Sequence, residues 1–94
     1  MIIEWDENKN RLNLKKHGLN FELAQQVFDN PLHISKQDRH TNGEERWQTL
    51  GNIGGLSIIV VAHTVSDDNG NETIRIISAR KATRHERKHY EQAH

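Results

Sequence analysis

At 94 residues the chain has the length of one domain, and with 33% apolar and 5% aromatic residues its core is small. No cysteine is present, which excludes a disulfide framework and thiol chemistry. The start, MIIEWDENKN, lacks the apolar stretch of a signal peptide, and no run reaches the roughly 18 apolar residues of a membrane span, so a soluble cytoplasmic protein is expected. The 13 Lys and Arg balance the 13 Asp and Glu, beside 7 His, so any phosphate-binding surface must be a local patch.

The short apolar run Ile2–Trp5 predicts a first strand. Asp6 is placed to cap a helix that runs to about His17, with Lys15, Lys16 and His17 at its negative end and Gly18 as its stop. Only Leu12 and Leu14 offer it apolar side chains, and they lie on different sides. Asn20 caps a second helix, in which Phe21, Ala24, Val27 and Phe28 repeat at helical spacing until Asn30-Pro31 ends it. Beyond Pro31 the period becomes two. Leu32, Ile34 and Lys36 alternate with polar neighbours, and Asn42-Gly43 and Gly54-Gly55 bracket the strand RWQTLGNI. LSIIVVAHT is the most apolar run and suits a central strand; SDDNGNE turns the chain into a last strand, TIRIISA. Thr83 and Glu86 then form the capping box of a final helix. The order β-α-α-β-β-β-β-α predicts an α+β domain, a small antiparallel sheet with helices packed on one face.

The last helix carries two conflicting signals. His85-Glu86-Arg87-Lys88-His89 spells H-E-x-x-H, the spacing of two zinc ligands one turn apart. Glu86 is needed by the capping box, however, and Arg84, Arg87 and Lys88 surround the pair with positive charge, so no metal site is expected. Arg80 and Lys81 fall where the last strand hands over to this helix, whose free N–H groups favour an anion. Arg80, Arg84 and Arg87 add guanidinium forks suited to phosphate oxygens. By alternation Arg75 shares a face with Ile77, His63 with Ile59 and Val61, and Arg46 lies opposite Trp47. Strand register decides whether Arg46, His63 and Arg75 converge. Each has a plain alternative as a solvated or ion-paired side chain, Trp5 and Trp47 as core, His17 as a helix-end cation, and Tyr90 as an anchor for the last helix.

The segments WDENKNRLNLKKHGLNFELAQQVFDNP, GEERWQTLG and RIISARKATRHERKHYE resemble the BrnT family of bacterial toxins over nearly the whole chain. The resemblance implies a RelE-like fold and a type II toxin–antitoxin system. It further implies an RNA-cleaving toxin that arrests growth, and a partner antitoxin with a ribbon-helix-helix DNA-binding part in a 2:2 complex that represses its own operon through operator DNA. Family pattern falls on Lys16, His17, Arg46, Trp47, Arg80, Glu86, Arg87 and Tyr90. Cleavage without a metal or other cofactor needs a base for the 2′-OH, cations for the phosphorane and an acid for the leaving oxygen. We expect Arg80 as the main charge stabiliser, with Arg46 and Arg75, and His63 or His17 as proton carrier. Lys16, Lys81, Arg84, Arg87 and Tyr90 are the expected RNA contacts. The alternatives are a module that binds RNA or a partner without cutting, and a small zinc hydrolase.

Overall fold

The computed structural model describes residues 1–41, 44–55 and 57–94. Its elements are β1 (Ile2–Trp5), α1 (Glu7–His17), α2 (Phe21–Ala24) continuing into a 3₁₀ turn (Gln25–Asp29), β2 (Ile34–Thr41), β3 (Glu44–Ile53), β4 (Ser57–Asp68), β5 (Asn71–Lys81) and α3 (Arg84–Gln92). The order agrees with the sequence reading. The Asn42-Gly43 turn lies outside the described residues.

Two features of the expected fold are corrected. The five strands lie in the order β1-β5-β4-β3-β2, and β1 runs parallel to β5, so the sheet is mixed. Hairpin turns reveal only the β2–β5 meander. β1 is followed by a helix, has no hairpin partner, and joins the sheet through the free edge of β5. The helices also cover both faces. Under α2 and the 3₁₀ turn, Leu19, Phe21, Ala24 and Val27 pack on Ile59, Val61, Ile76 and Ala79, with Ile3, Trp5 and Phe28 at the margin. On the reverse face Tyr90 and Ala82 pack on Leu50 and Val60, so α3 lies there alone.

Local chemistry explains the element ends. Asp6 Oδ1 accepts from the N–H groups of Asn8 (2.8 Å) and Lys9 (3.2 Å), and Gly18 stops α1 in the left-handed region at φ 73°. Asn69 and Gly70, at φ 53° and 85°, form the two-residue turn between β4 and β5, and Asp67 accepts from the Gly70 N–H. Thr83 and Glu86 form the expected capping box. Gly51 is needed for a different reason: a Cβ there would stand 3.0 Å from Val27 Cγ1 and 3.2 Å from the Val27 carbonyl.

α1 is held by amides rather than by leucines. Leu12 and Leu14 are exposed, whereas Asn10 and Asn13 are buried. Asn10 accepts from the Phe21 N–H at 2.7 Å. Asn13 donates to the Leu19 and Ala79 carbonyls, both at 2.8 Å, and accepts from the Ala79 N–H at 3.1 Å. The ladder between β1 and β5 ends at Trp5–Ile76, and at Ala79 the side chain of Asn13 takes over the role of a neighbouring strand.

Candidate nucleic-acid interface

The geometry of the site follows from strand register. Residues directly opposite each other in a ladder project from the same face. Arg46 on β3 pairs with Thr64 on β4, Thr64 pairs with Arg75 on β5, and Arg75 pairs with Glu4 on β1. These side chains form one row across the sheet, with Arg46 and Arg75 about 10 Å apart at the backbone, two strand spacings. The next row on this face is Lys36, Gln48, Ala62 and Ser78, and the one after it Ile34, Leu50, Val60 and Arg80. α3 packs over this last row and over Ile58 beyond it, and its His89 shares a cavity with Lys36 of the second row; among the described residues no helix packs on the Arg46–Arg75 row.

Arg80 reaches this face through a β-bulge. The β4–β5 ladder runs Ala62–Ser78 and then His63–Ile76, so Ile77 is an extra residue in β5. Strict alternation would put Arg75 and Arg80 on opposite faces. The bulge re-phases the strand, so that Ile76 and Ala79 both enter the α2-side core and Arg75 and Arg80 both project on the α3 side. Four residues of β4 separate the Arg75 and Arg80 rows, about 13 Å.

Arg80 is held in place. Its Nη1 and Nη2 donate to the two Glu86 carboxylate oxygens at 2.7 and 3.0 Å, and Nη1 also donates to the Lys81 carbonyl at 3.3 Å. Glu86 Oε1 also accepts from the Thr83 N–H at 2.9 Å. One carboxylate thus closes the capping box and grips the guanidinium. The Arg80 hydrogen bonds hold the Glu86 carboxyl well below its ordinary range, at about 2, and the Glu86 hydrogen bond raises the Arg80 pKa in return. Arg75 has a looser partner, Glu4 at 3.5 Å, with both side chains about half exposed at 47% and 51%.

The expected histidines lie elsewhere. His63 projects from the opposite face, is only 3% exposed, and meets the Phe28 ring edge-on at 5.0 Å. Its Nδ1 lies 3.3 Å from the Thr64 carbonyl, so this nitrogen carries the proton and Nε2 accepts from the Thr49 hydroxyl at 2.7 Å. Burial lowers its pKa, which keeps the ring neutral. His17 and Lys16 end α1, in the helical layer away from the arginine row. Lys81 pairs with Ile59 and so projects opposite to Arg80. Arg84 and Arg87 are exposed on α3, whereas Tyr90 is buried on Leu50 and Val60 as the anchor of that helix. Trp5 packs edge-on against Phe21, and Trp47 pairs across the strands with His63.

Sequence reasoning missed Thr64, Gln48 and Ser78, the uncharged residues between the arginines, because nothing in their local pattern separates them from other strand residues. The grip of Glu86 on Arg80 did have a signal, an acid six residues downstream of the arginine and fixed by the cap. His89 was seen only as half of a zinc motif; it lines a small cavity of about 190 Å³ with Lys36 and Leu50, on the arginine side of the sheet. Among the described residues no three His, Asp or Glu side chains cluster so as to hold a metal ion.

A family model described as "Ribonuclease toxin, BrnT, of type II toxin-antitoxin system" matches residues 5–86. The crystal structure of the Brucella abortus ribonuclease toxin BrnT is similar at 33% sequence identity and a TM-score of 0.63, covering 89% of this chain and 99% of that one. No curated protein matches the chain. With a family match over most of its length and a related toxin of the same fold, the chain belongs to the BrnT family of ribonuclease toxins of type II toxin–antitoxin systems.

Proposed function

We propose that RNA is cleaved on the helix-free part of the α3 face, by in-line attack of a 2′-OH that leaves a 2′,3′-cyclic phosphate. The observation that carries this reading is the row Arg46–Thr64–Arg75, with Arg80 brought onto the same face by the bulge. Arg46 and Arg75 flank the strip on which a phosphodiester would lie; the Thr64 hydroxyl between them and the Ser78 hydroxyl one row on, toward Arg80, supply neutral hydrogen bonds. Cations placed before the reaction stabilise the phosphorane without the reorganisation that water would need. Arg80, steadied by Glu86, presents its remaining N–H groups at the far end of the strip. His63 points into the other face, so the proton carrier in this reading is His89, the imidazole beside Lys36 on this side. The reaction needs no metal or other cofactor.

In the same reading growth arrest follows in the cytoplasm, and the fold is of the RelE type. A cognate antitoxin with a ribbon-helix-helix part covers the arginine face in a 2:2 complex that binds operator DNA. A face that holds RNA without cutting it is the second reading; it draws on Arg80 being already satisfied by Glu86.

The test is cleavage of a short single-stranded RNA by the purified chain, with the new ends assayed for cyclic phosphate. We expect cleavage by the parent, and a loss of about a hundredfold or more in Arg46→Ala, Arg75→Ala and His89→Ala, the usual cost of removing one transition-state contact. Retention of the parent rate by both arginine variants overturns the site. Undiminished RNA binding with no cleavage by the parent selects the second reading.

A further inference from the structure

On the α2 side of the sheet, at the end that α2 and the 3₁₀ turn leave uncovered, lies a cavity of about 270 Å³. Trp47, Phe28 and the His63 ring form its aromatic walls, and Ser35, His33 and Glu72 bring polar groups to it. None of these residues belongs to the arginine row.

The walls are pre-organised. Ser35 Oγ lies 2.7 Å from Thr49 Oγ1, which lies 2.7 Å from His63 Nε2. Because His63 accepts, Thr49 donates to it and receives from Ser35. That chain fixes the His63 ring, and the edge-on contact with Phe28 braces it from the other side. The volume falls just under the roughly 300 Å³ at which pockets for whole small molecules begin, a scale for one planar heterocycle rather than a nucleotide chain. Aromatic walls accept the face of any base. The polar group that discriminates is Glu72: its carboxylate accepts only, at two adjacent oxygens. Guanine alone among the four bases offers two adjacent donors, the ring N1–H and the exocyclic amino group, on one edge. A carboxylate also repels phosphate, so the base enters here and its phosphate stays outside.

We propose that this cavity is a guanine-binding site, with the base packed against Trp47 and its N1–H and amino group donated to Glu72. The inference rests on RNA being the substrate only for the source of the base. A guanine within an RNA strand and a free guanine nucleotide present the same edge.

The experiment is a fluorescence titration of the full chain carrying Trp5→Phe, which leaves Trp47 as the reporter, with GMP, AMP, CMP and UMP in turn. We expect saturable quenching by GMP at least tenfold tighter than by the other three. Glu72→Gln, at an exposed turn-proximal position, is expected to erase that preference and leave the far-ultraviolet spectrum unchanged. A uridine oligomer containing one guanosine, compared with all-uridine, identifies the source: tighter quenching assigns the site to RNA, and quenching by GMP alone assigns it to the free nucleotide. No quenching, equal quenching by all four, or a preference that survives Glu72→Gln overturns the guanine site. A chain that cleaves RNA yet shows no guanine preference refutes the pocket and leaves the nuclease reading standing; one that binds GMP but cuts nothing does the reverse.

Discussion

The two faces of the sheet differ in what their residues contribute. On the α2 side Phe21, Ala24, Val27, Val61 and Ala79 are wholly buried, and even the polar Thr49 and His63 satisfy each other. On the α3 side Tyr90 and Ala82 are the buried residues that meet Leu50 and Val60 beneath the nine-residue helix, and the remaining rows are mostly polar, with Glu4, Arg75, Thr64 and Arg46 in one and Lys36, Gln48, Ala62 and Ser78 in the other. The first face supplies most of the stability, which allows the second to carry charge that adds little to folding. Outside the pocket between Trp47 and Glu72, substitutions on the two faces should therefore separate into folding defects and activity defects.

The largest expected effect tests the first half of that contrast. Phe21→Ala should cost about 3–5 kcal/mol, measured by urea unfolding, because its side chain is wholly enclosed. Arg75→Ala should change the same quantity by less than about 0.5 kcal/mol while abolishing most cleavage. If Arg75→Ala instead unfolds the chain, the division between the faces is wrong. Acid exposes the next difference. The His63 pKa is lowered from 6.5 by burial, so below that pH the unfolded imidazole takes up a proton that the folded one resists. Stability should be full above pH 6.5 and decline as the pH falls, a dependence that His63→Gln should flatten. Glu86→Gln is the smallest. Glutamine still serves a capping box through its one oxygen, so the charge and the second acceptor facing Arg80 are lost. The Arg80 partner is partly exposed, which limits the cost to about 1 kcal/mol or less, read as a small drop in melting temperature that high salt erases. In the parent this contribution should be whole above the ordinary carboxyl value of 4.5 and fade as the pH falls toward 2.

Caps and turns made the order of elements legible, since Asp6, Gly18, Asn20, Asn69-Gly70 and Thr83 each act through their nearest neighbours. What depended on distant partners was not. The parallel pairing of β1 with β5 joins the two ends of the chain, and nothing local to Ile2–Trp5 announces it. α1 looked weak because its anchors are Asn10 and Asn13, residues that a search for apolar stripes passes over. Of the candidate site, the arginines were found by their chemistry, but their common face was not. Counting by twos separates Arg75 from Arg80, and only the ladder shows that Ile77 stands outside the count. His63 was chosen as an imidazole at the end of an apolar strand, and that apolar setting is also what buries it among Phe28, Thr49 and Trp47.

The double engagement of Glu86 has a mechanical consequence. The same oxygen that receives the Thr83 N–H also receives Arg80, so the winding of the first turn of α3 and the aim of the guanidinium are one event. Whatever lifts or frays that turn slackens the arginine from a distance, so a touch confined to the last helix is felt on the sheet beneath it.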